Sequence, residues 1–215
     1  MIGFFDYTVW LTYFSLISAV AGALVSLSAE GHPYAGMIFL LFCGLFDAFD
    51  GKVARTKKDR TEDGKKFGIQ IDSLSDLAAF GVLPACIGAA LLRRSGCGLP
   101  EWAYTVFACI YVLAAMIRLA YYNVTEEERQ QTDHGVRKVY IGLPVTSAAL
   151  VFPAFLLVDF LVDADIAVGY GILLLVMAFA FLCRASVRKP GLKGTLIMVG
   201  IGLAELLIAL LSRVF

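Results

Sequence analysis

Two pairs of aspartates stand beside or inside long apolar stretches of this chain. The first lies in Asp47-Ala48-Phe49-Asp50-Gly51-Lys52-Val53-Ala54-Arg55 and the second in Gly68-Ile69-Gln70-Ile71-Asp72-Ser73-Leu74-Ser75-Asp76. A carboxylate at membrane depth is costly and marks a functional site by default. At helical spacing Asp47, Asp50 or Gly51, and Ala54 or Arg55 share one face. Gly68, Asp72 and Asp76 recur at i, i+4 and i+8 and share another. Where two such faces meet, four carboxylates repel one another unless something positive lies between them. The simplest such object is a divalent metal ion with oxygen ligands. Two metal ions bridged by carboxylates suit phosphoryl chemistry, because they neutralise phosphate and clamp the entering and leaving oxygens. Arg55 can take a phosphate through paired N–H donors. Gly51, Ala54 and Gly68 remove bulk where a ligand would approach.

The elements that must position these faces are membrane helices. Of the 215 residues 60% are hydrophobic and 17% charged, with a mean hydropathy of +0.80, which is membrane rather than soluble-globule composition. A spanning helix needs about 20 apolar residues. Seven stretches qualify or nearly so: Thr8–Ser28, Tyr34–Ala54, Gly68–Leu92, Trp102–Tyr122, Leu143–Val162, Ile166–Cys183 and Gly194–Leu211, the sixth being short. The expected fold is all-α, a polytopic transmembrane helix bundle forming one integral membrane domain over residues 1–215. No basic n-region precedes the first stretch, so no cleaved signal peptide is expected. The five cysteines show no CxxC or Cys/His ligand spacing and read as small core residues. Ser18, Gly22 and Ser26 form a small-residue stripe that predicts close helix packing. Pro144 is expected to start the fifth span and Pro153 to kink it.

All but three of the 18 basic residues fall in the segments Lys52–Lys66, Arg118–Lys138 and Arg184–Lys193; the exceptions are Arg93, Arg94 and Arg213. These segments alternate along the chain, so the positive-inside rule makes them cytoplasmic. With seven spans the N-terminus is then cytoplasmic and the C-terminus outside. Asp159, Asp163 and Asp165 make an acidic connection on the other face. The two aspartate faces can meet just below the membrane surface on the cytoplasmic side, because the second and third spans are joined there. The run Lys57–Lys66 reads as a solvated loop attracted to anionic lipid.

The pattern D-x2-D-G-x2-A-R followed by G-x3-D-x3-D, complete here, resembles the signature of CDP-alcohol phosphotransferases. The resemblance extends from about Tyr34 to Pro144. It implies a bundle of six core helices, usually dimeric, in which an alcohol hydroxyl attacks the lipid-bearing phosphorus of a CDP-lipid and CMP leaves. It implies that Asp47, Asp50, Asp72 and Asp76 bind divalent metal (Mg²⁺ or Mn²⁺, two ions). Asp76 would be the base. Asp47, Gly51, Ala54, Arg55 and Gly68 would contact the CDP-lipid. The segment Thr56–Phe67 is longer than members commonly have by about one helical turn.

Three further stretches resemble phosphatidylserine synthases: Asp72-Ser73-Leu74-Ser75-Asp76 with Phe80-Gly81 and Pro84-Ala85, then Arg118-Leu119-Ala120-Tyr121-Tyr122-Asn123, then Tyr140-Ile141-Gly142-Leu143-Pro144. Tyr121 stands where those relatives have a second arginine. The resemblance implies transfer of a phosphatidyl group from CDP-diacylglycerol to L-serine. Segment 118–144 would form the acceptor side, with serine contacts drawn from Arg118, Asn123, Arg137 and Lys138. The expected setting is a multi-pass protein of the cell membrane, homodimeric, working on membrane lipids at the cytoplasmic face, with no nucleic-acid partner. Two rivals remain: another acceptor such as glycerol 3-phosphate or inositol phosphate, and, outside the class, a cation transporter.

Overall fold

Small residues let the first two helices lie close together. The computed structural model describes residues 3, 5–132, 139–159, 165–188 and 191–211. Helix α1 (Trp10–Ser26) follows a 3-10 turn at Tyr7–Val9, capped by Asp6, which accepts from Thr8 N at 2.9 Å. Helix α2 (Pro33–Ala54) begins on Pro33, whose missing N–H would be unpaired there in any case. Ser18, Gly22 and Ser26 are buried against α2, as their spacing predicts. A Cβ on Gly22 would stand 2.6 Å from Cβ of Phe39, and one on Gly36 would stand 2.0 Å from Oγ of Ser26. Ser18 Oγ also donates to Phe39 O at 3.3 Å.

The third span is longer and less regular than its hydrophobicity suggests. It begins at Glu62, six residues before Gly68, so the extra length between the two aspartate pairs is partly helix. Thr61 caps it by accepting from Gly64 N at 3.1 Å. α3 (Glu62–Asp76) passes through a π-helical segment, Leu77–Val82, into α4 (Leu83–Arg94). Pro84 lacks the N–H that would bond Phe80 O in a regular α-helix. Three buried tyrosines supply donors around this break: Tyr111 to Phe80 O, Tyr170 to Pro84 O at 3.0 Å and Tyr104 to Ala85 O at 3.0 Å. Such side-chain donors are what make irregular backbone tolerable at membrane depth. The irregularity starts one residue after Asp76.

Helix α5 (Glu101–Thr132) runs ten residues beyond the predicted end of the fourth span. The fifth span starts later than predicted. Leu143 and Pro144 lie outside any helix, Pro144 in extended backbone, with Leu143 N donating to Ala180 O at 3.4 Å. Helical structure therefore starts with a turn at Val145–Ser147 and continues as α6 (Ala148–Val158), with Pro153 inside it. α7 (Ala167–Leu182) and α8 (Leu192–Leu211) complete the bundle. A short antiparallel ribbon, β1 (Val139–Ile141) with β2 (Ser186–Arg188), ties the α5–α6 and α7–α8 connections. Tyr111, Phe152, Tyr170 and Phe181 fill the centre, Tyr111 meeting Phe152 edge-on at 5.5 Å.

Among the described residues, four helices are long and apolar enough to cross a membrane: Tyr7–Ser26, Glu62–Arg94, Glu101–Glu127 and Lys193–Leu211. Val145–Val158 and Ala167–Leu182 are shorter apolar helices. The chain is an all-α, multi-pass membrane bundle. Its connections sort to two ends. Arg93 and Arg94 donate to Leu27 O and Gly31 O, Tyr34 to Asp159 and Ser95 to Asp165, which gathers three connections at one end. The aspartate pairs, the ribbon and the N-terminal turn lie at the other, where Lys57 Nζ meets Asp6 at 3.0 Å. Asp159 and Asp165 each accept one of these side-chain hydrogen bonds, and Asp165 is exposed as an acidic connection requires; Asp163 lies outside the described residues.

Candidate active site

The last two turns of α2 and the second half of α3 bring the aspartates together. Carboxylate oxygens of Asp47, Asp50 and Asp72 all lie within 4.8 Å of one another, and each residue is partly buried. Asp76, one turn beyond Asp72, stands outside that trio but within reach of the charges of Asp47, Asp72 and Asp50. Among the described residues no lysine or arginine forms an ion pair with any of the four. Carboxylates withdrawn from water need compensation. Three converging hard oxygen donors without a basic partner fit a divalent cation of the Mg²⁺ or Mn²⁺ kind.

The two signature glycines are each overlaid by a guanidinium. A Cβ on Gly51 would stand 3.4 Å from Nη1 of Arg55, and a Cβ on Gly68 would stand 2.5 Å from Nη2 of Arg60. Arg55 is exposed at the end of α2, and Ala54 beside it is half-buried. Arg60 belongs to the run that reads as a solvated loop in the sequence. Its contact with Gly68 carries no sequence signal, because a lone arginine in a basic loop has no periodicity. The Asp6 carboxyl that holds this loop's start through Lys57 is lowered to about 2, by the Thr8 hydroxyl first and by Lys57 next.

A cavity of about 530 Å³ opens beside the aspartates, between α2, α6 and α8. Asp47, Asp50, Gly51, Lys52 and Arg55 line its charged end. Leu41, Leu45, Leu150, Met198 and Val199 line its apolar depth. Thr146, Ser147 and Thr195 also reach it. These three hydroxyls belong to no motif in the sequence; the one signal for them is the position of Thr146 and Ser147 just after Gly142-Leu143-Pro144.

The acceptor-side residues are placed as follows. Arg118 is 6% exposed, and its guanidinium donates from Nε to Leu143 O at 3.2 Å and from Nη2 to Gly142 O at 3.4 Å. Leu143 and Pro144 line the cavity, so Arg118 braces its wall from behind. Gly142 needs to be glycine, with φ +82° and a Cβ position 3.1 Å from the carbonyls of Phe181 and Cys183. Asn123 donates from Nδ2 to Ser73 Oγ at 2.8 Å, joining α5 to α3 beside Asp72. Arg137 and Lys138 lie outside the described residues.

The sequence profile described as CDP-alcohol phosphatidyltransferase matches residues 7–207. The archaetidylserine synthase of Methanothermobacter thermautotrophicus is 31% identical over 183 residues, 84% of this chain and 69% of its own length. The CDP-diacylglycerol–serine O-phosphatidyltransferase of Saccharomyces cerevisiae is 32% identical over 150 residues, 68% of this chain. There the match spans about half of the relative, 51% of its length. A protein of the same name from Methanocaldococcus jannaschii is 28% identical over 165 residues, 76% of this chain and 69% of the relative. No solved structure matches the chain.

Proposed function

We propose that this chain, which belongs to the CDP-alcohol phosphatidyltransferase family, is a CDP-diacylglycerol–serine O-phosphatidyltransferase. It moves a phosphatidyl group from CDP-diacylglycerol to the hydroxyl of L-serine. One observation carries the reading: three carboxylates converge within 4.8 Å, and two of them, Asp47 and Asp50, line the charged end of a largely apolar cavity beside Arg55. That arrangement pairs a phosphate-gripping end with a slot suited to a lipid. Asp47, Asp50 and Asp72, with Asp76, would hold two Mg²⁺ or Mn²⁺ ions. When bound, such ions neutralise the diphosphate and make its phosphorus more electrophilic.

The serine hydroxyl oxygen attacks the phosphorus that bears the diacylglyceryl group. The bond from that phosphorus to the CMP oxygen breaks, and CMP leaves. Asp76 takes the hydroxyl proton, the task of a general base within hydrogen-bond reach. Arg55 orients the phosphates over the bare face of Gly51, and Asp47, Ala54 and Gly68 complete the nucleotide side. Asn123, bonded to Ser73 beside Asp72, is on the acceptor side, where a zwitterionic amino acid must have its carboxylate read, and the resemblance adds Arg137 and Lys138 as serine contacts. Arg118 fixes the wall of that side. The site faces the cytoplasm of a cell membrane, in keeping with the basic segments gathered at its end of the bundle. A homodimer is part of the same reading.

The deciding experiment offers CDP-diacylglycerol with serine, glycerol 3-phosphate and inositol phosphate in competition and identifies the lipid formed. Serine lipid with stoichiometric CMP supports the assignment. A product from glycerol 3-phosphate alone would replace the acceptor and leave the metal site standing. An ether-linked CDP-lipid in a parallel arm reads the tail preference.

A further inference from the structure

Arg60 is a guanidinium beside the aspartate faces that the signature does not contain. It sits in the lengthened Thr56–Phe67 segment, and contacts at both ends of its short loop set its position. At the start, Tyr7 Oη and Thr56 Oγ1 are 3.2 Å apart and Lys57 Nζ meets Asp6 Oδ2 at 3.0 Å. At the end, Thr61 caps α3 through Gly64 N, and Arg60 Nη2 donates to Gly64 O at 2.9 Å. The guanidinium is thereby folded along α3 onto Gly68, where a Cβ would come within 2.5 Å of it. Gly68 lies about one turn before Asp72 on the aspartate face, a rise of about 6 Å. Among the described residues no carboxylate pairs with Arg60. One donor of its five-donor fork is used on Gly64 O.

The α2 side of the site carries the matching arrangement, with Arg55 over Gly51. Two guanidinium groups therefore flank the carboxylate trio, one over the bare face of each signature helix. A diphosphate is the ligand chemistry this suits, since it offers two anionic phosphoryl groups, and a planar fork binds each through paired oxygens. We propose that Arg60 is a second phosphate-binding residue, gripping the diphosphate of the CDP-lipid from the α3 side as Arg55 does from the α2 side. The inference rests on the reading of the chain as a CDP-lipid enzyme. It adds a purpose for the longer segment, which is to deliver Arg60, and for the bare face of Gly68, which is to let the guanidinium lie against the helix.

The test measures binding of CDP, CMP and cytidine to the purified full-length chain with Mn²⁺ present, for wild type, Arg60→Gln, Arg60→Lys and Lys58→Gln. Loss of a charge-assisted hydrogen bond should weaken CDP by about tenfold or more in Arg60→Gln. CMP should weaken less and cytidine not at all. Arg60→Lys should fall between, and Lys58→Gln, which removes the same charge from the same loop, should bind as wild type does. In turnover, Arg60→Gln should raise KM for the CDP-lipid and leave KM for the alcohol alone. Unchanged CDP affinity in Arg60→Gln, or equal losses for CDP and cytidine, would overturn the assignment. If Arg60→Gln does not fold, Arg60→Lys decides by its ratio of CDP to cytidine affinity, an unchanged ratio counting against the role. A wild type that binds CDP through Arg60 yet makes no serine lipid would sink the acceptor reading only. An active wild type with indifferent Arg60 variants would sink this inference only.

Discussion

Removing one charge from the aspartate cluster should separate stability from catalysis. Asp47, Asp50 and Asp72 crowd one another with no basic partner among the described residues. Asn at any of the three relieves repulsion in the metal-free protein, so Asp47→Asn, Asp50→Asn and Asp72→Asn should fold and melt no lower than wild type. Activity should nearly vanish, since charge neutralisation by bound metal is worth several kcal/mol in such reactions. Added Mn²⁺ should raise the wild-type melting temperature by linkage and raise that of the variants much less. Near-wild-type turnover at saturating metal would remove that residue from the ligand set. Asp76 stands outside the trio, so Asp76→Asn should lose rate by roughly 10²- to 10⁴-fold while keeping most of its affinity for CDP-lipid. Equal loss of nucleotide affinity in Asp76→Asn and Asp47→Asn would make Asp76 a ligand and not the base.

Helices and their joints decide how the acceptor side is held. Arg118 donates to the carbonyls of Gly142 and Leu143, and the left-handed backbone of Gly142 turns the chain from β1 toward α6. Gly142→Ala should cost about 1–3 kcal/mol of stability through strain at positive φ. Arg118→Lys keeps the charge and loses the fork, so it should disturb the same wall. Both variants should raise KM for serine more than KM for the CDP-lipid. The double variant should be little worse than the poorer single one, because both act on one joint. Additive losses would mean that Arg118 works elsewhere, on the serine carboxylate itself. At this scale the limits of the sequence are physical. Period and hydropathy predicted α1, α2 and α8 to within two residues at each end, and the Asp47/Asp50 and Asp72/Asp76 faces followed from i, i+3 and i, i+4 spacing. The π-helical segment after Asp76 did not follow, because a change of hydrogen-bond register leaves no apolar period, and its tyrosine donors come from α5 and α7. Nor did the Arg60–Gly68 contact, where a loop side chain finds a helix face, or the partners of Arg118, which are backbone carbonyls some 24 residues away.

For the whole molecule, the decisive quantity is which side of the membrane the carboxylates face. Among the described residues the helices run alternately between two ends of the bundle, which puts the N-terminal turn, Arg55, Arg60 and the ribbon at the site end. Arg93, Arg94 and the α4–α5 connection lie at the opposite end. Native cysteines mark both ends: Cys97 lies in the α4–α5 connection, and Cys183 is exposed at the end of α7 beside the ribbon. Cys43 is buried against Ser15 O, so its thiol is shielded from reagent. The excess of Lys and Arg in the loops at the site end should hold that end in the cytoplasm. A membrane-impermeant maleimide applied to intact cells should therefore label a variant that keeps Cys97 alone. A variant that keeps Cys183 alone should react only after permeabilisation. The reverse pattern would place the aspartates outside the cell and overturn the cytoplasmic site. Labelling of both from outside would break the alternation between α5 and α7, and with it the crossing assigned to the short α6.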